Sequence, residues 1–324
     1  MSDPSRAPGA GPDPFSDRDH LVELARSKPT PPYTLDEQLT FFCPQENLEG
    51  LDLPVVREFH RWVTTEHEPA PGDERAVLLL LPCEKAKPYS LSAEHRAVSN
   101  ALAAAGYEPK GRGDWPEELA SLGSPAELSN EPLVGGSGLR IDRAVISEPF
   151  GIVPYEAIYR WRGELTPCAR YDDPGLFEHR GIGPLWRDDC TAAPTTKGYA
   201  WGDSERAAYV EVHERLSALI DQVLNRLSER YEAILAYVGH TLTHRTFLAS
   251  DAERKAAGIP RSRKVEGANR RLVGVNDRSP GLVRLVPDGD GLDRIRERNG
   301  GRLPAGFLTG EDSLAQLTTT LREF

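Results

Sequence analysis

The sequence has no apolar run approaching the roughly 20 residues that a membrane-spanning helix needs, which excludes a helical integral-membrane class and predicts no membrane partner. Residues 1–19 also lack an apolar core. They are rich in Pro, Gly and Asp, so neither a signal peptide nor a transit peptide is predicted. A disordered tail over residues 1–33 and a cytoplasmic location are expected. Positive charge is in short supply: 39 Lys and Arg against 50 Asp and Glu give a net charge of −11. Overall charge therefore does not favour nucleic acid, and any such binding needs a local basic patch. Cysteine is sparse too. Cys43, Cys83, Cys168 and Cys190 include no C-x-x-C pair, which argues against a zinc ribbon or a thioredoxin motif, and a cytoplasm would keep them reduced. No internal repeat is visible.

What is present suits a folded protein of one large domain or two modest ones, with long Pro- and Gly-rich loops. Residues 35–42 read as a short amphipathic helix capped by Thr34. A second helix is expected over 53–64, with Val55, Val56, Phe59 and Val63 on one side. The unbroken apolar run 76–81 suits a strand covered on both faces and ended by Pro82. A helix capped by Ser92 follows, stopped at Gly106. Strands are expected over 141–147 and 233–238, with a long helix between them from Ser204 to about Arg230. Short strands fit 273–275 and 282–286. Right-handed crossovers would set the three main strands parallel. The expected fold is α/β: a small parallel sheet flanked by helices, with active-site loops at the strand C-terminal ends. The boundaries follow: a tail over 1–33, a catalytic domain over 34–250, and an irregular extension over 251–324. The extension holds the one basic stretch, Arg254, Lys255, Arg261, Arg263, Lys264, Arg270 and Arg271.

Three strand ends thus bring reactive side chains to one sheet edge. Cys83 lies near Lys85 and Lys87, and nearby cations favour a nucleophilic thiolate; its plainer reading is a buried thiol. Lys87 precedes a proline that restricts it to extended backbone, which aims the side chain at an anion or a proton transfer; otherwise it is a solvated lysine. His95, one turn into the helix, suits acid/base work. Ser92 is first of all an N-cap. Glu148 follows a strand and Asp172 sits in a turn, where exposed or turn-stabilising roles compete with function. His240 and His244 are four apart, but no Glu follows His240 and no third ligand is evident, so neither a metal site nor a cofactor is predicted.

The run Pro82-Cys83, three residues, Lys87-Pro88-Tyr89, two residues, Ser92, two residues, His95 resembles the signature of archaeosine synthases, relatives of the tRNA-guanine transglycosylases. Residues 147–154 resemble a second loop of that domain, with Glu156 near its acidic position, and Tyr171-Asp172 resembles a third. The similarity spans about residues 55–245. It implies modification of the nitrile of 7-cyano-7-deazaguanine in nucleic acid, tRNA or DNA, by amine addition or hydration, with an amine donor such as lysine. Cys83, Lys87 and His95 are then the catalytic candidates, and Tyr89, Ser92, Ser147, Glu148, Gly151 and Asp172 the substrate-binding candidates. In the mechanism proposed for them, the Cys83 thiolate adds to the nitrile carbon or the amine adds directly; His95 or Lys87 protonates the nitrogen, and loop N–H groups near Gly151 hold the base. The transglycosylase-like and RNA-binding domains of the full synthases are not recognisable, which points to a possible transglycosylase or other partner subunit, to DNA, or to a free base. The non-catalytic alternative is a 7-deazaguanine recognition or accessory subunit of a modification complex.

Overall fold

The computed structural model describes residues 17–72, 75–177, 182–196, 198–239 and 243–324. Its centre is a seven-stranded mixed sheet built from β1 (Ala76–Pro82), β2 (Glu108–Pro109), β3 (Leu133–Val134), β4 (Arg140–Ser147), β5 (Gly151–Pro154), β6 (Ala233–Tyr237) and β7 (Arg284–Val286). The order is β7-β6-β1-β4-β3-β2, with β5 on the same edge of β4 as β3. All seven residues of β1 are buried, as an unbroken apolar run in a central strand requires. β7, β6, β1 and β4 are mutually parallel. The expectation of a parallel sheet fails beyond β4. There the chain turns straight back through Glu148-Pro149-Phe150 to form β5 as an antiparallel hairpin strand, and β2 and β3 also run antiparallel to their neighbours.

Connections from β1 run to opposite sides, first to β4 and later to β6. The loops leaving β1 and its two neighbours therefore splay apart, which opens a crevice at the C-terminal edge. The helices that matter are α1 (Arg18–Ala25), α2 (Pro54–Thr65), α3 (Ala93–Ala104), α4 (Asp203–Leu227), α5 (Thr243–Leu248) and α6 (Glu311–Leu321). In α2, Val56, Phe59 and Val63 are buried as the spacing predicts. In α4, Ala208, Val212, Leu216, Ile220, Val223, Leu224 and Leu227 form the buried stripe. No helix among the described residues is long and apolar enough to cross a membrane.

Ser92 caps α3: its hydroxyl accepts from the His95 backbone N–H at 3.1 Å, and the residue is buried. Ser92→Ala should cost about 1 kcal/mol in a urea titration and leave KM unchanged; a KM rise without loss of stability would instead place the hydroxyl on substrate.

Several boundaries need correction. Residues 17–33 are folded, with α1 capped by the Asp17 carboxylate; residues 1–16 of the expected tail lie outside the described residues. The helix expected over 35–42 is a single 3-10 turn, Glu37–Leu39, capped by Asp36. Val275 opens a short helix, Val275–Arg278, rather than ending a strand. Residues 251–324 are not an irregular extension. β7 pairs with β6 in the main sheet, and Leu285, Leu292, Leu308, Leu317 and Leu321 belong to the same core as β1.

Candidate functional site

The apolar stretches of β1, β4 and β6 stop at the same edge, and the next polar residues of each loop meet there. Cys83 follows β1, Glu148 follows β4, and His244 opens α5 after β6. The Cys83 thiol donates to Glu148 Oε2 at 3.3 Å and lies 3.1 Å from His244 Nε2, which is itself 3.3 Å from the same carboxylate oxygen. Glu148 and His244 are buried, and Cys83 is half-buried. Burial opposes the charges of both groups in the Glu148–His244 pair. Their mutual attraction outweighs it, holding the Glu148 carboxyl below the usual carboxylate range and raising the imidazole. Burial pushes the Cys83 thiol well up, and the Glu148 and Asp173 carboxylates add to that; Lys87 opposes them. With carboxylates beside it as well as lysines, the thiol is not the low-pKa group that its neighbouring lysines suggest.

Lys87 is buried and lies between two rings, 4.6 Å from the Tyr89 centroid and 4.2 Å from that of Tyr171. Its ammonium donates to the Glu84 carbonyl. It forms an isolated parallel bridge with Pro29, and its carbonyl accepts from Thr30 N–H at 2.9 Å. Beneath it, the Tyr89, Tyr171 and Ser147 hydroxyls form a closed triangle with edges of 2.8–3.0 Å, tying the loops after β1 and β4 to the 171–173 turn. That turn is held by Phe41 N–H donating to the Asp172 carbonyl at 2.9 Å.

These groups open on a cavity of about 310 Å³ lined by Cys83, Glu84, Lys85, Lys87, Asp172, Asp173 and His244 on its polar side. Leu21, Leu24, Phe42, Phe177 and Ile182 supply apolar walls. α1 belongs to a satellite cluster of Leu21, Val22, Ala25 and Phe42, and Lys28 pairs with Asp172. Burial, reinforced by Glu148, pushes the Asp173 carboxyl well up, and its Oδ2 has no hydrogen-bond partner.

Of the sequence candidates, the structure brings Cys83, Lys87, Glu148 and Asp172 together. Tyr89 and Ser147 support them from below. Three others stand elsewhere. His95 does not line the cavity. Fully buried, it spans Pro82 O at 2.9 Å and Tyr155 OH at 3.0 Å, so it fixes the end of β1 rather than facing substrate. Ser92 is spent on its cap. Gly151 pairs with Ser147 across the hairpin at φ +73°, and a Cβ there would lie 2.6 Å from Leu219 Cδ2. Its glycine answers to backbone and packing rather than to a bound base. Glu156 is exposed and faces His67 at 3.5 Å, away from this cavity. His240 lies outside the described residues.

Reading the sequence missed Lys28, Asp173 and the apolar wall from α1. Asp173 adjoins Asp172 and was within reach of the same turn motif; Lys28 carries no local signal. The basic stretch is mostly committed internally. Arg254 is fully buried and pairs with Asp277 at 2.5 Å, Arg261 pairs with Asp251, Arg271 with Asp277, and Arg263 stacks 4.9 Å from the Tyr209 centroid. Lys255, Lys264 and Arg270 are exposed. No protein-family model, curated protein or solved structure matches the chain.

Proposed function

We propose that this chain is an enzyme that modifies the nitrile of 7-cyano-7-deazaguanine carried in nucleic acid, tRNA or DNA, by adding an amine or water. The observation that carries the reading is the convergence of Cys83 and Lys87, from the archaeosine-synthase-like motif, with His244 on one cavity, Glu148 standing against Cys83 and His244. A nitrile carbon is electrophilic, and addition to it develops negative charge on nitrogen. The Lys87 ammonium is a cation in that neighbourhood, suited to stabilise the charge and supply a proton. In the net reaction the nucleophile bonds to carbon, one C–N π bond is lost, and the nucleophile's proton ends on nitrogen. An amine gives an amidine and water gives an amide. Sulfur adding first through a thioimidate, or direct addition at the Cys83 corner, leads to the same product.

The cavity volume is at the small end of ligand sites, suited to one base rather than a stretch of polymer. The reading therefore entails a target nucleotide turned out of its strand, with the base against Phe42 and Phe177. Phosphate contacts fall to exposed lysines and arginines such as Lys85, Lys255, Lys264 and Arg270.

The test is nucleoside mass spectrometry after incubating the chain with tRNA and with DNA, each carrying 7-cyano-7-deazaguanine. Lysine, glutamine, ammonia or water alone is the donor. A mass gain on one polymer is expected, and its size names the donor. No gain on either polymer or on the free base, at stoichiometric protein, overturns the reading.

A further inference from the structure

We propose that Cys83 Sγ, Glu148 Oε2 and His244 Nε2 are ligands of a divalent transition-metal ion, zinc by the character of the donors, at the floor of the cavity. The three atoms stand 3.1–3.3 Å from one another. Ligand atoms around a tetrahedral zinc stand roughly 3.3–3.8 Å apart, given bonds of about 2.0–2.3 Å. The triangle therefore needs to open by only a few tenths of an ångström to seat the ion. One thiolate, one imidazole and one carboxylate form a zinc-type donor set; magnesium and calcium take oxygen ligands and would not select a sulfur. Three protein ligands with one position left over is the arrangement of catalytic rather than structural zinc. Cys83 and His244 both line the cavity, which makes the cavity the source of the fourth ligand.

A second observation is independent of those distances. Glu148 Oε1 and Asp173 Oδ2 are both buried without a hydrogen-bond partner. Native interiors pair nearly all such atoms, and two unpaired carboxylate oxygens on residues that interact electrostatically suit a bound cation. A cation at Oε2 balances the buried carboxylate and leaves Oε1 free to bind the same ion. Spacing in the sequence could not flag this set: Glu148 is 65 residues from Cys83 and His244 is 161 residues from it. His244 needs no neighbour one helical turn away, because the other strands supply its partners.

The role of the ion rests on the nitrile reading; its binding does not. In that role the nitrile nitrogen takes the fourth position, and the amine or water adds directly to the carbon. The nucleophile's proton ends on nitrogen, and no atom changes oxidation state. Cys83 then acts as a ligand and not as the attacking group.

The experiment uses the full chain, stripped with a chelator, desalted and titrated with Co²⁺ under absorption spectroscopy. One equivalent should bind with a thiolate-to-cobalt charge-transfer band in the near ultraviolet and visible bands of four-coordinate intensity, and Zn²⁺ should displace it. Cys83→Ser should abolish the charge-transfer band. His244→Ala and Glu148→Gln should each weaken binding at least ~10-fold, with circular dichroism establishing that each variant is folded; Glu148→Gln keeps the side-chain shape and serves if another variant does not fold. Absence of cobalt binding, binding without a thiolate band, or binding unaffected by Cys83→Ser and His244→Ala overturns the site. Stoichiometric cobalt with no nucleoside product leaves the site standing and overturns the nitrile reaction. Product formed at full rate by the stripped chain overturns the ion's role.

Discussion

Cys83→Ala is expected to lower turnover of the nitrile-bearing nucleic acid by ~10³-fold or more, with little change in thermal midpoint. Both halves of that expectation come from where the thiol sits. It is half-buried at the cavity floor, so removing one sulfur leaves no large interior void. Glu148 and His244 still face each other at 3.3 Å and keep their mutual stabilisation. Chemistry, by contrast, loses the thiol at the point of attack, whether it acts as nucleophile or as a ligand. Lys87→Met should lose turnover as well, through the nitrogen that must take up a proton. Residual activity within tenfold of the parent chain in both variants would remove this corner of the cavity from the mechanism.

The second large effect is on stability in acid. His67, His95 and His213 are buried, and burial lowers their pKa values from 6.5 to about 4, about 4 and about 3. In the unfolded chain each takes up a proton as pH falls through about 6.5; in the folded chain each stays neutral until about 4 or below. The unfolded state thus binds more protons across that window, so stability is fully present above pH 6.5 and is lost as pH falls toward 4. Near pH 5 each of these histidines adds close to one proton to the unfolded state's share, a slope of about 1.4 kcal/mol per pH unit apiece. Each histidine accounts for roughly 3 kcal/mol by pH 4, a sizeable share of the 5–15 kcal/mol or so that holds a domain together. His244, raised beside Glu148, and the Glu94 and Asp173 carboxyls, raised by burial, work the other way and offset part of this, while His60, lowered by burial to about 4, adds to it. Urea titrations at pH 7, 6 and 5 should show this decline, and His95→Gln should remove close to one proton from the slope. Equal stability at pH 7 and pH 5 would mean that these imidazoles are protonated in the fold.

The same histidines show where the sequence was legible. β1, β4, β6 and α4 announced themselves through apolar stretches or, in α4, a helical stripe sustained over most of their length. Cys83, Lys87, Glu148 and Asp172 could be singled out because each sits at the end of such an element or in a turn. His95 looked the same from the sequence, a polar residue in the first turn beside a reactive loop. Only the course of the chain reveals that its ring points inward, onto Pro82 O and Tyr155 OH. β2, β3 and β5 were hidden for a different reason. The first two are two residues long and the third is four, too short for a period to develop, and their pairing is decided by β4 rather than by their own composition. α1 was obscured by the polar residues around it; its few apolar side chains matter because Phe42, Ile182 and Trp186 are there to meet them.

The distances along the chain within the site carry one further consequence. Lys28 reaches Asp172 across 144 residues, and Cys83 meets His244 across 161. Contacts of such separation close long loops and form late in folding. During synthesis the residues of the floor emerge long before their partners, so a partly made chain holds Cys83 without His244. The cavity is thus finished only by the last third of the molecule, and a chain halted before it carries the motif without the chemistry.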